Sequence, residues 1–370
     1  MKRATIIGGG LAGLISAIQF ARAGVSCRLV EKKHYPFHRV CGEYISNEVA
    51  PFLKAAGLYP SSYNPPQIEK LQLSSIDGKC MTMPLDMGGF GISRYVFDNF
   101  LYEQALKEGV EFLLNDEVTS VVFDKDRFQL KSLNDVWESE LVVGAFGKRS
   151  KLDHTLNRSF IAQRSPYIGV KYHIRNDNPD ALISLHNFPR GYCGMSNIED
   201  KKTTLCYLAH RDLLRTHKTI GEMEDKVVFK NPALREIFSN AAFLFDKPEV
   251  INEISFATKA PVENHMLMVG DSAGMIAPLC GNGMAMAIQS GRLMAAEGIR
   301  FLKSVNGNRF ELENNYAAIW RKHFIGRLWR GRQIQKLFGK ELTSRIAISA
   351  VMNIKPLGKI IVKNTHGEIF

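Results

Sequence analysis

The segment Ala4-Thr5-Ile6-Ile7-Gly8-Gly9-Gly10-Leu11-Ala12-Gly13 decides the fold of the first part of the chain. Its first four residues are apolar or small and predict a short buried strand, and the glycines that follow fit the spacing GxGxxG. Gly8 permits a tight turn, Gly10 lets the backbone approach a pyrophosphate, and Gly13 lets a helix pack closely against the strand. The segment therefore predicts a Rossmann-type strand–turn–helix unit that binds a dinucleotide.

The residues after the glycines complete this unit. Free N–H groups at the helix start, from Leu11 and Ala12 onward, are expected to face the phosphates. Residues 25–30 predict a second strand that ends at Glu31, where a carboxylate accepts hydrogen bonds from ribose hydroxyls. The carboxylate of Glu31 favours an adenosine ribose with a free 2′-hydroxyl, as in FAD or NAD, over the 2′-phosphate of NADP. We also count the adjacent Lys32 among the cofactor-binding residues.

A second glycine-rich segment lies late in the chain. Gly270-Asp271 ends a buried strand, Pro278 follows, and Gly281-Asn282-Gly283-Met284 opens a helix. Asp271 can accept from a polyol chain, and the glycines let the backbone lie against a flat ring. The helix N-terminus stabilises negative charge on the pyrimidine edge of a reduced flavin. Two such segments in one chain favour FAD over NAD.

Over residues 1–300 the sequence resembles a flavoprotein superfamily, that of the FAD monooxygenases of aromatic-hydroxylase type and the geranylgeranyl reductases. The first glycine segment with Glu31 matches one family motif, and Gly270-Asp271 matches another. The segment Arg39-Val40-Cys41-Gly42-Glu43-Tyr44-Ile45-Ser46 is similar to a Cys-Gly segment of the reductases. Ser93-Arg94 is similar to an arginine site near the cofactor. The resemblance implies that Arg39, Cys41 and Arg94 contact FAD.

Two segments depart from the family pattern. In Gly144-Ala145-Phe146-Gly147, Phe146 stands where the family has an Asp, although Gly147 remains a predicted cofactor contact. The resemblance implies that the family's Asp contacts both FAD and the nicotinamide cofactor, so its replacement by Phe146 concerns the use of NADPH or NADH, the expected reductant. In residues 192–197 only Tyr192 remains of an aromatic stretch that the reductases carry, and the Trp-x-Trp-x-Ile-Pro motif of flavin halogenases is absent.

The order of apolar segments predicts an α/β fold with a discontinuous Rossmann-type FAD-binding domain. Its strands are fully apolar, which is typical of a parallel sheet covered on both faces. We predict an inserted, mainly β substrate domain and a basic helical C-terminus. The FAD-binding domain is expected to comprise residues 1–65, 91–155 and 259–305, the insert 66–90 and 156–258, and the C-terminal region 306–370.

The charge of the chain is concentrated at its end. The net charge is +11, and residues 321–370 carry eleven Lys or Arg against Glu341 and Glu368. A basic helical region of this kind favours an anionic membrane face or an acyl carrier, while a solvated surface is the alternative. Nucleic acid is not expected. No apolar run is long enough for a membrane helix, so we expect a cytoplasmic protein, with a peripheral position at the inner membrane face as an alternative.

The six cysteines are scattered and form no CxxC pair, so we predict neither a disulfide framework nor a metal site. The chemistry is expected to reside in the flavin. We predict a monooxygenase (hydroxylase) that acts on a small lipophilic substrate of polyketide or isoprenoid type, with Cys41 and Tyr192 as candidate catalytic residues. A flavin-dependent double-bond reductase of the geranylgeranyl reductase type is the alternative, and a non-catalytic flavin-binding protein is a second one.

Overall fold

The computed structural model describes residues 2–162, 165–252, 254–337 and 341–370. Residues 163, 164 and 253 of the predicted insert and Lys340 of the basic region lie outside the described residues. In chain order the strands are β1 Arg3–Ile7, β2 Ser26–Glu31, β3 Tyr44–Ser46, β4 Gln67–Ser74, β5 Cys80–Gly91, β6 Glu111–Leu114, β7 Val118–Asp124, β8 Arg127–Ser132, β9 Val136–Ser139, β10 Leu141–Gly144, β11 Tyr167–Arg175, β12 Leu182–Phe188, β13 Gly191–Ile198, β14 Lys202–His210, β15 Ala242–Phe243, β16 Glu249–Asn252, β17 Val262–Glu263 and β18 Met266–Met268. The helices are α1 Leu11–Arg22, α2 Ala50–Ala55, α3 Arg94–Lys107, α4 Lys151–Thr155, α5 Arg211–His217, α6 Ile220–Lys226, α7 Pro232–Asn240, α8 Gly283–Lys303, α9 Arg309–Trp320, α10 Gly326–Leu337, α11 Glu341–Asn353 and α12 Lys355–Thr365.

A six-stranded sheet has the order β17-β18-β10-β1-β2-β6. β1 pairs in parallel with β2 and β10, and β18 and β6 extend the sheet in parallel on either side. The central strands are buried because α1 and α8 cover one face of the sheet and the three-stranded sheet β7-β8-β9 packs on the other, where Trp137 donates to the hydroxyl of Thr5 at 3.1 Å. These two helices touch closely, since Ser16 donates to the carbonyl of Gly291 at 3.3 Å. The fold is therefore mixed α/β, as predicted, and its parallel strands come from distant parts of the chain.

A nine-stranded, mostly antiparallel sheet stands beside the first. Its order is β15-β11-β14-β13-β12-β4-β5-β3, with β16 paired to β11. The edge strand β3 forms the end of the Cys-Gly segment and pairs with the end of β5. The segment between β2 and β3 thus leads from one sheet to the other. The strands of residues 66–91 and 167–252 share this sheet.

The last part of the chain is helical where the structure describes it. A π-helical turn, Arg321–Ile325, connects α9 to α10. The phenol of Tyr316 donates to the carbonyl of Met268 at 2.5 Å, which anchors α9 to β18. The backbone of Phe370 exchanges hydrogen bonds with Glu48 and Phe52, so the chain end packs near α2. In the described residues, no helix is both long and apolar enough to cross a bilayer.

The predicted elements differ from the observed ones mainly at their ends. The mainly apolar residues 140–146 predict a strand, but the observed strand β10 ends at Gly144, and Gly147, with φ +82°, turns the chain shortly after it. Residues 98–109 favour a helix, but the observed helix begins four residues earlier, at Arg94, because Ser93 caps its N-terminus by accepting from the amide of Val96 at 3.1 Å. The hairpin strands β8 and β9 are absent from the sequence prediction.

Candidate functional site

One cavity of about 920 Å³ opens between the two sheets and the C-terminal helices. A volume of this size lies at the upper end of the range for ligand pockets in proteins. Among the residues that line it are the predicted ones Gly8, Gly10, Leu11, Ala12, Glu31, Lys32, Arg39, Cys41, Arg94, Gly147, Tyr192, Gly270, Asp271, Pro278, Gly281, Gly283 and Met284. Gly13 is the exception, since it lies beneath the turn. The structure therefore brings the two glycine segments to one site.

The first glycine turn is built as its sequence predicts. Gly8 has φ +107°, and a Cβ there would stand 2.4 Å from the carbonyl oxygen of Ala145. A Cβ on Gly13 would stand 2.1 Å from the carbonyl oxygen of Gly8, so the helix packs directly on the turn. No side chain caps α1, and its first turn holds no acid. Its N-terminus is therefore open to an anion in the cavity.

Glu31 is held rigidly at the end of β2. Its buried carboxylate accepts from the amide of Gly9 at 2.9 Å and from the amide of Lys33 at 3.1 Å. Arg39 lies 3.2 Å from the same carboxylate. A carboxylate has about four acceptor positions, so capacity remains for a ligand hydroxyl. This arrangement suits the ribose contact that the sequence predicts.

The two predicted arginines share a partner that sequence reasoning missed. Asp98, buried on α3, accepts from Arg94 at 2.6 Å and from Arg39 at 3.0 Å. Burial alone lowers the pKa of Arg94, but the adjacent Asp98 outweighs it and raises the pKa above its ordinary value. Both guanidinium groups line the cavity in fixed positions. The i, i+4 spacing of Arg94 and Asp98 was the available signal, but the sequence placed the helix start at Asp98 and so left Arg94 outside the predicted helix.

The segment around Cys41 is fastened to the second sheet by a buried charge cluster. Glu43 accepts from Lys171 at 2.5 Å, from His173 at 2.7 Å and from the amide of Arg94 at 2.8 Å. Burial raises the pKa of Glu43, but Lys171 and His173 outweigh burial and lower it to about 2. The cluster keeps Cys41 against the cavity. The sequence gives no local sign of these partners, which lie on β11.

Lys259 joins the loops that follow β10 and β18. Its ammonium group donates to the carbonyl of Lys148 at 2.7 Å and to the carbonyl of Asp271 at 2.8 Å. Burial lowers the pKa of Lys259 to about 8, against the opposing effect of the Asp271 carboxylate. Lys148 itself lines the cavity, and burial lowers its pKa as well. Sequence analysis assigned no role to either lysine, although Lys148 directly follows Gly147.

The second glycine segment forms another open helix start. Gly270 and Gly281 have φ of +57° and +65°, which favours glycine. Asn282 precedes α8 without capping it, and the first turn of α8 holds no acid. Two uncapped helix N-termini thus meet the same cavity. This pairing suits a long ligand that is anionic in its middle and at one end.

A sequence profile described as FAD binding domain matches residues 2–303. The chain belongs to this FAD-binding family. The digeranylgeranylglycerophospholipid reductase of Methanococcus vannielii is 24% identical over 388 residues, covering 97% of this chain and 93% of that protein. This flavoprotein is therefore similar to that reductase over nearly the whole length of both chains.

Two solved structures share the fold. A geranylgeranyl bacteriochlorophyll reductase-like protein from Thermoplasma acidophilum superposes with TM-score 0.79 at 17% identity, covering 98% of this chain and 97% of that one. The flavin-dependent halogenase CmlS gives TM-score 0.79 at 18% identity, covering 93% of this chain and 67% of that one. At these identities the likeness concerns the fold alone.

Two buried polar atoms in the flavoprotein test whether a flavin suits the cavity. The amide nitrogen of Asn282 donates to Glu48 at 3.2 Å and to the carbonyl of Thr365 at 3.1 Å, which leaves its Oδ1 without a hydrogen-bond partner among the described residues. The hydroxyl of Tyr192 is also buried without a hydrogen bond of ordinary geometry in the described part of the chain, and the backbone of Leu279 is a weak polar neighbour. Such orphaned atoms are costly unless a ligand satisfies them. Because both residues line the cavity, the site fits a polar-edged ring.

A large apolar arm of the flavoprotein's cavity was not anticipated from the sequence. Strands β4, β5 and β12 form one wall, and α11 and α12 form the other. The apolar side chains are Leu71, Leu73, Met83, Leu85, Ile183, Leu185, Ile346, Ala347, Ala350, Val351, Ile361 and Val362. The apolar spacing within residues 346–351 was the sequence signal for this helical wall, but the high charge of the C-terminal region obscured it.

Six free thiols are present, of which Cys41, Cys206 and Cys280 line the cavity. In the residues that the structure describes, no cluster of three or more His, Cys, Asp or Glu side chains is arranged to hold a metal ion.

Proposed function

We propose that the protein is an FAD-dependent oxidoreductase that reduces carbon–carbon double bonds in a long apolar substrate. The observation that carries this proposal is the apolar arm, which continues from the Gly281–Met284 segment between the second sheet and the C-terminal helices. Its walls offer aliphatic side chains to an extended chain. The relatives named as digeranylgeranylglycerophospholipid reductases support an isoprenoid chain as the substrate.

The residues that would hold FAD belong to both glycine segments. The α1 N-terminus would bind the pyrophosphate, Glu31 the adenosine ribose and Asp271 the ribityl chain. Asn282 Oδ1 would accept from an N–H group on the flavin pyrimidine edge. When bound, the flavin supplies hydride-transfer or oxygen chemistry. We also propose that residues 1–65, 91–155 and 259–305 form a discontinuous Rossmann-type domain, with residues 66–90 and 156–258 as the substrate domain.

The side chains of the protein bind and orient the substrate and keep water out of the cavity. Burial raises the pKa of Tyr192 well above its ordinary value, so its hydroxyl stays protonated as a hydrogen-bond donor. Tyr192 packs with Leu208, Ile254 and Met275, which exclude water around that hydroxyl. We assign Tyr192 the task of orienting a polar group or double bond of the substrate. Cys41, in contact with the same cavity, stays a candidate catalytic residue.

An anaerobic assay tests the reaction type. The purified FAD-bound protein is reduced with dithionite, NADPH or NADH, and a geranylgeranyl lipid in detergent is added. If the protein reduces a double bond of the lipid, the flavin is expected to be reoxidised without dioxygen, and the product is expected to have gained two hydrogen atoms. The hydroxylase predicted from the sequence would instead need dioxygen and yield a product with one added oxygen atom. Absence of any product under either condition would leave the non-catalytic flavin protein as the correct description.

The same assay identifies the electron donor. Phe146 lies at the cavity, in the position where the family's Asp is expected. The rates of flavin reduction with NADPH and with NADH are measured separately. Reduction by dithionite alone would show that the nicotinamide prediction is wrong.

A further inference from the structure

The π-helical turn and α10 together carry apolar side chains on one side that the protein leaves in solvent. Ile325 is 48% exposed and Trp329 is 57% exposed, four residues apart. The residues one position earlier, Phe324 and Leu328, are buried in the core. The helix therefore has a packed inner side and a separate outer apolar stripe. Exposed aromatic and aliphatic side chains on one stripe mark a surface that contacts another apolar phase.

Two neighbouring helices add to this surface. Arg330 of α10 donates to the carbonyl of Asn364 on α12 at 2.7 Å, so α10 and α12 lie side by side. Ile354, just before α12, and Ile360 on α12 are each 54% exposed. Ile346 on α11 is 62% exposed and also lines the cavity. The wall of the apolar arm therefore reaches the protein surface at α11.

The charges on these helices are almost all positive. Lys322, Lys336 and Lys363 are exposed beside the apolar positions. The sequence has only Glu341 and Glu368 as acids after residue 320. Lysines interleaved with Trp and Ile are typical of helices that lie in a membrane interface and meet anionic lipids. The core of a protein–protein interface, in contrast, is depleted in Lys.

We propose that this C-terminal face, formed by Ile325, Trp329, Ile346, Ile354 and Ile360 with Lys322, Lys336 and Lys363, docks on an anionic lipid bilayer. The apolar substrate enters the cavity from the bilayer beside Ile346. Docking follows from the exposed apolar side chains and the lysines of this face, whereas the entry of substrate rests on the proposed function. The partner of this face is the surface of a bilayer. Binding of a second copy of the chain, or of an acidic carrier protein, to the same face would be a different result of the test.

Sedimentation with lipid vesicles tests the docking of the FAD-bound full chain. The protein is expected to pellet with vesicles of phosphatidylcholine and phosphatidylglycerol, to stay in solution with phosphatidylcholine alone, and to dissociate at high salt. The double variants I325S/W329S and K322E/K336E are each expected to weaken binding about tenfold or more. L133S and K131E are the matched controls, because these residues are exposed on the distant β7–β9 hairpin and its loop.

Tryptophan fluorescence gives a second measurement. Trp137 and Trp320 are buried, so Trp329 is the exposed member of the three tryptophans. Addition of anionic vesicles is expected to shift its emission to shorter wavelength, and W329F is expected to abolish the shift. The proposal is overturned if the native protein does not pellet with anionic vesicles, or if I325S/W329S pellets as well as the native protein does.

Two further measurements separate docking from the proposed function. Light scattering shows whether the face joins two copies or binds an added acidic carrier protein, and either result without vesicle binding overturns the proposal. Turnover of detergent-dispersed substrate is measured in the same variants. Retained turnover with lost vesicle binding supports docking as a separate property. Vesicle binding without any turnover supports docking and contradicts only the proposed reaction.

Discussion

The carboxylate of Glu48 accepts a hydrogen bond from the guanidinium of Arg327 at 2.8 Å, although 279 positions separate the two residues. Both side chains are buried, and the carboxylate also accepts from Asn282 at 3.2 Å and from the amide of Gly367 at 2.5 Å. Glu48 therefore connects α10 and the chain end to the segment that begins α8. One buried carboxylate therefore holds together α10, the residues that follow α12 and the flavin-side segment.

Replacement of Arg327 is expected to be strongly destabilising. Arg327→Met leaves the Glu48 carboxylate buried without its cation, which costs about 3–5 kcal/mol of unfolding free energy. Urea unfolding measures the loss, and FAD content is expected to fall with it. The double variant Glu48→Gln/Arg327→Met should recover part of the stability. Arg330→Met, whose guanidinium bonds a carbonyl near the surface, is the control. Equal effects at positions 327 and 330 would contradict the argument.

A methyl group at Gly10 is expected to impair FAD binding without unfolding the protein. Gly10 has an extended backbone, and a Cβ there would lie no closer than 3.6 Å to a protein atom, the nearest being on Arg94. The methyl group would instead occupy the cavity at the helix start. Gly10→Ala should weaken FAD binding by at least ~10-fold, about 1.4 kcal/mol. Flavin fluorescence measures this affinity.

The control for Gly10→Ala is Gly221→Ala on α6, where a Cβ would have nothing within 4 Å. It should leave FAD affinity unchanged. A Gly10→Ala protein with native FAD affinity would show that the pyrophosphate binds elsewhere.

Tyr192 and Tyr316 allow the contributions of two buried tyrosine hydroxyls, to stability and to kcat/KM, to be compared. The Tyr192 hydroxyl makes no hydrogen bond of ordinary geometry among the described residues, only a weak contact with the backbone of Leu279, whereas Tyr316 donates to the carbonyl of Met268. Tyr192→Phe should not lower stability but should reduce kcat/KM by ~3–10-fold, because one hydrogen bond is worth about 0.5–1.5 kcal/mol. Tyr316→Phe should lose about 1–3 kcal/mol of stability through the orphaned carbonyl. Thermal unfolding and steady-state kinetics measure the two effects, and unchanged kinetics for Tyr192→Phe would remove its substrate role.

Stability is expected to depend on pH through Lys259. Burial lowers its pKa to about 8 in the folded protein, whereas an unfolded lysine titrates at ~10.4. Between these values the unfolded chain binds a proton that the folded protein releases, so the unfolding free energy from this group rises with pH. That contribution is complete above ~10.4 and is lost as the pH falls through about 8.

Urea unfolding across this pH window compares the native protein with Lys259→Met. The variant should lack the rise, which has a maximum slope of about 1.4 kcal/mol per pH unit. Lys131→Met, on the exposed side of β8, is the control. Parallel pH curves for the native protein and Lys259→Met would contradict the assignment.

Much of the nucleotide site follows from local sequence. Gly8 and Gly13 are predictable from their spacing, because the tight turn requires positive φ at Gly8 and the helix packs Gly13 directly on Gly8, five residues earlier, whereas the close approach of Gly8 to Ala145 is decided by the fold. Glu31 is predictable because the length of one helix and one strand sets its distance from the turn. The open start of α8 is visible for the same reason, since Gly281 adopts positive φ.

Only the tertiary structure decided which distant side chains meet. Asp98 receives Arg39 from another segment, Lys259 joins two loops, and Glu48 pairs with Arg327. The C-terminal helices become a wall of the cavity, although their composition alone indicates a charged surface. A turn or a helix start imposes backbone conformations that restrict the residues beside it, so it leaves a record in neighbouring positions. An ion pair or a cavity wall needs only that two surfaces coincide after folding, and this leaves no spacing along the chain from which to infer it.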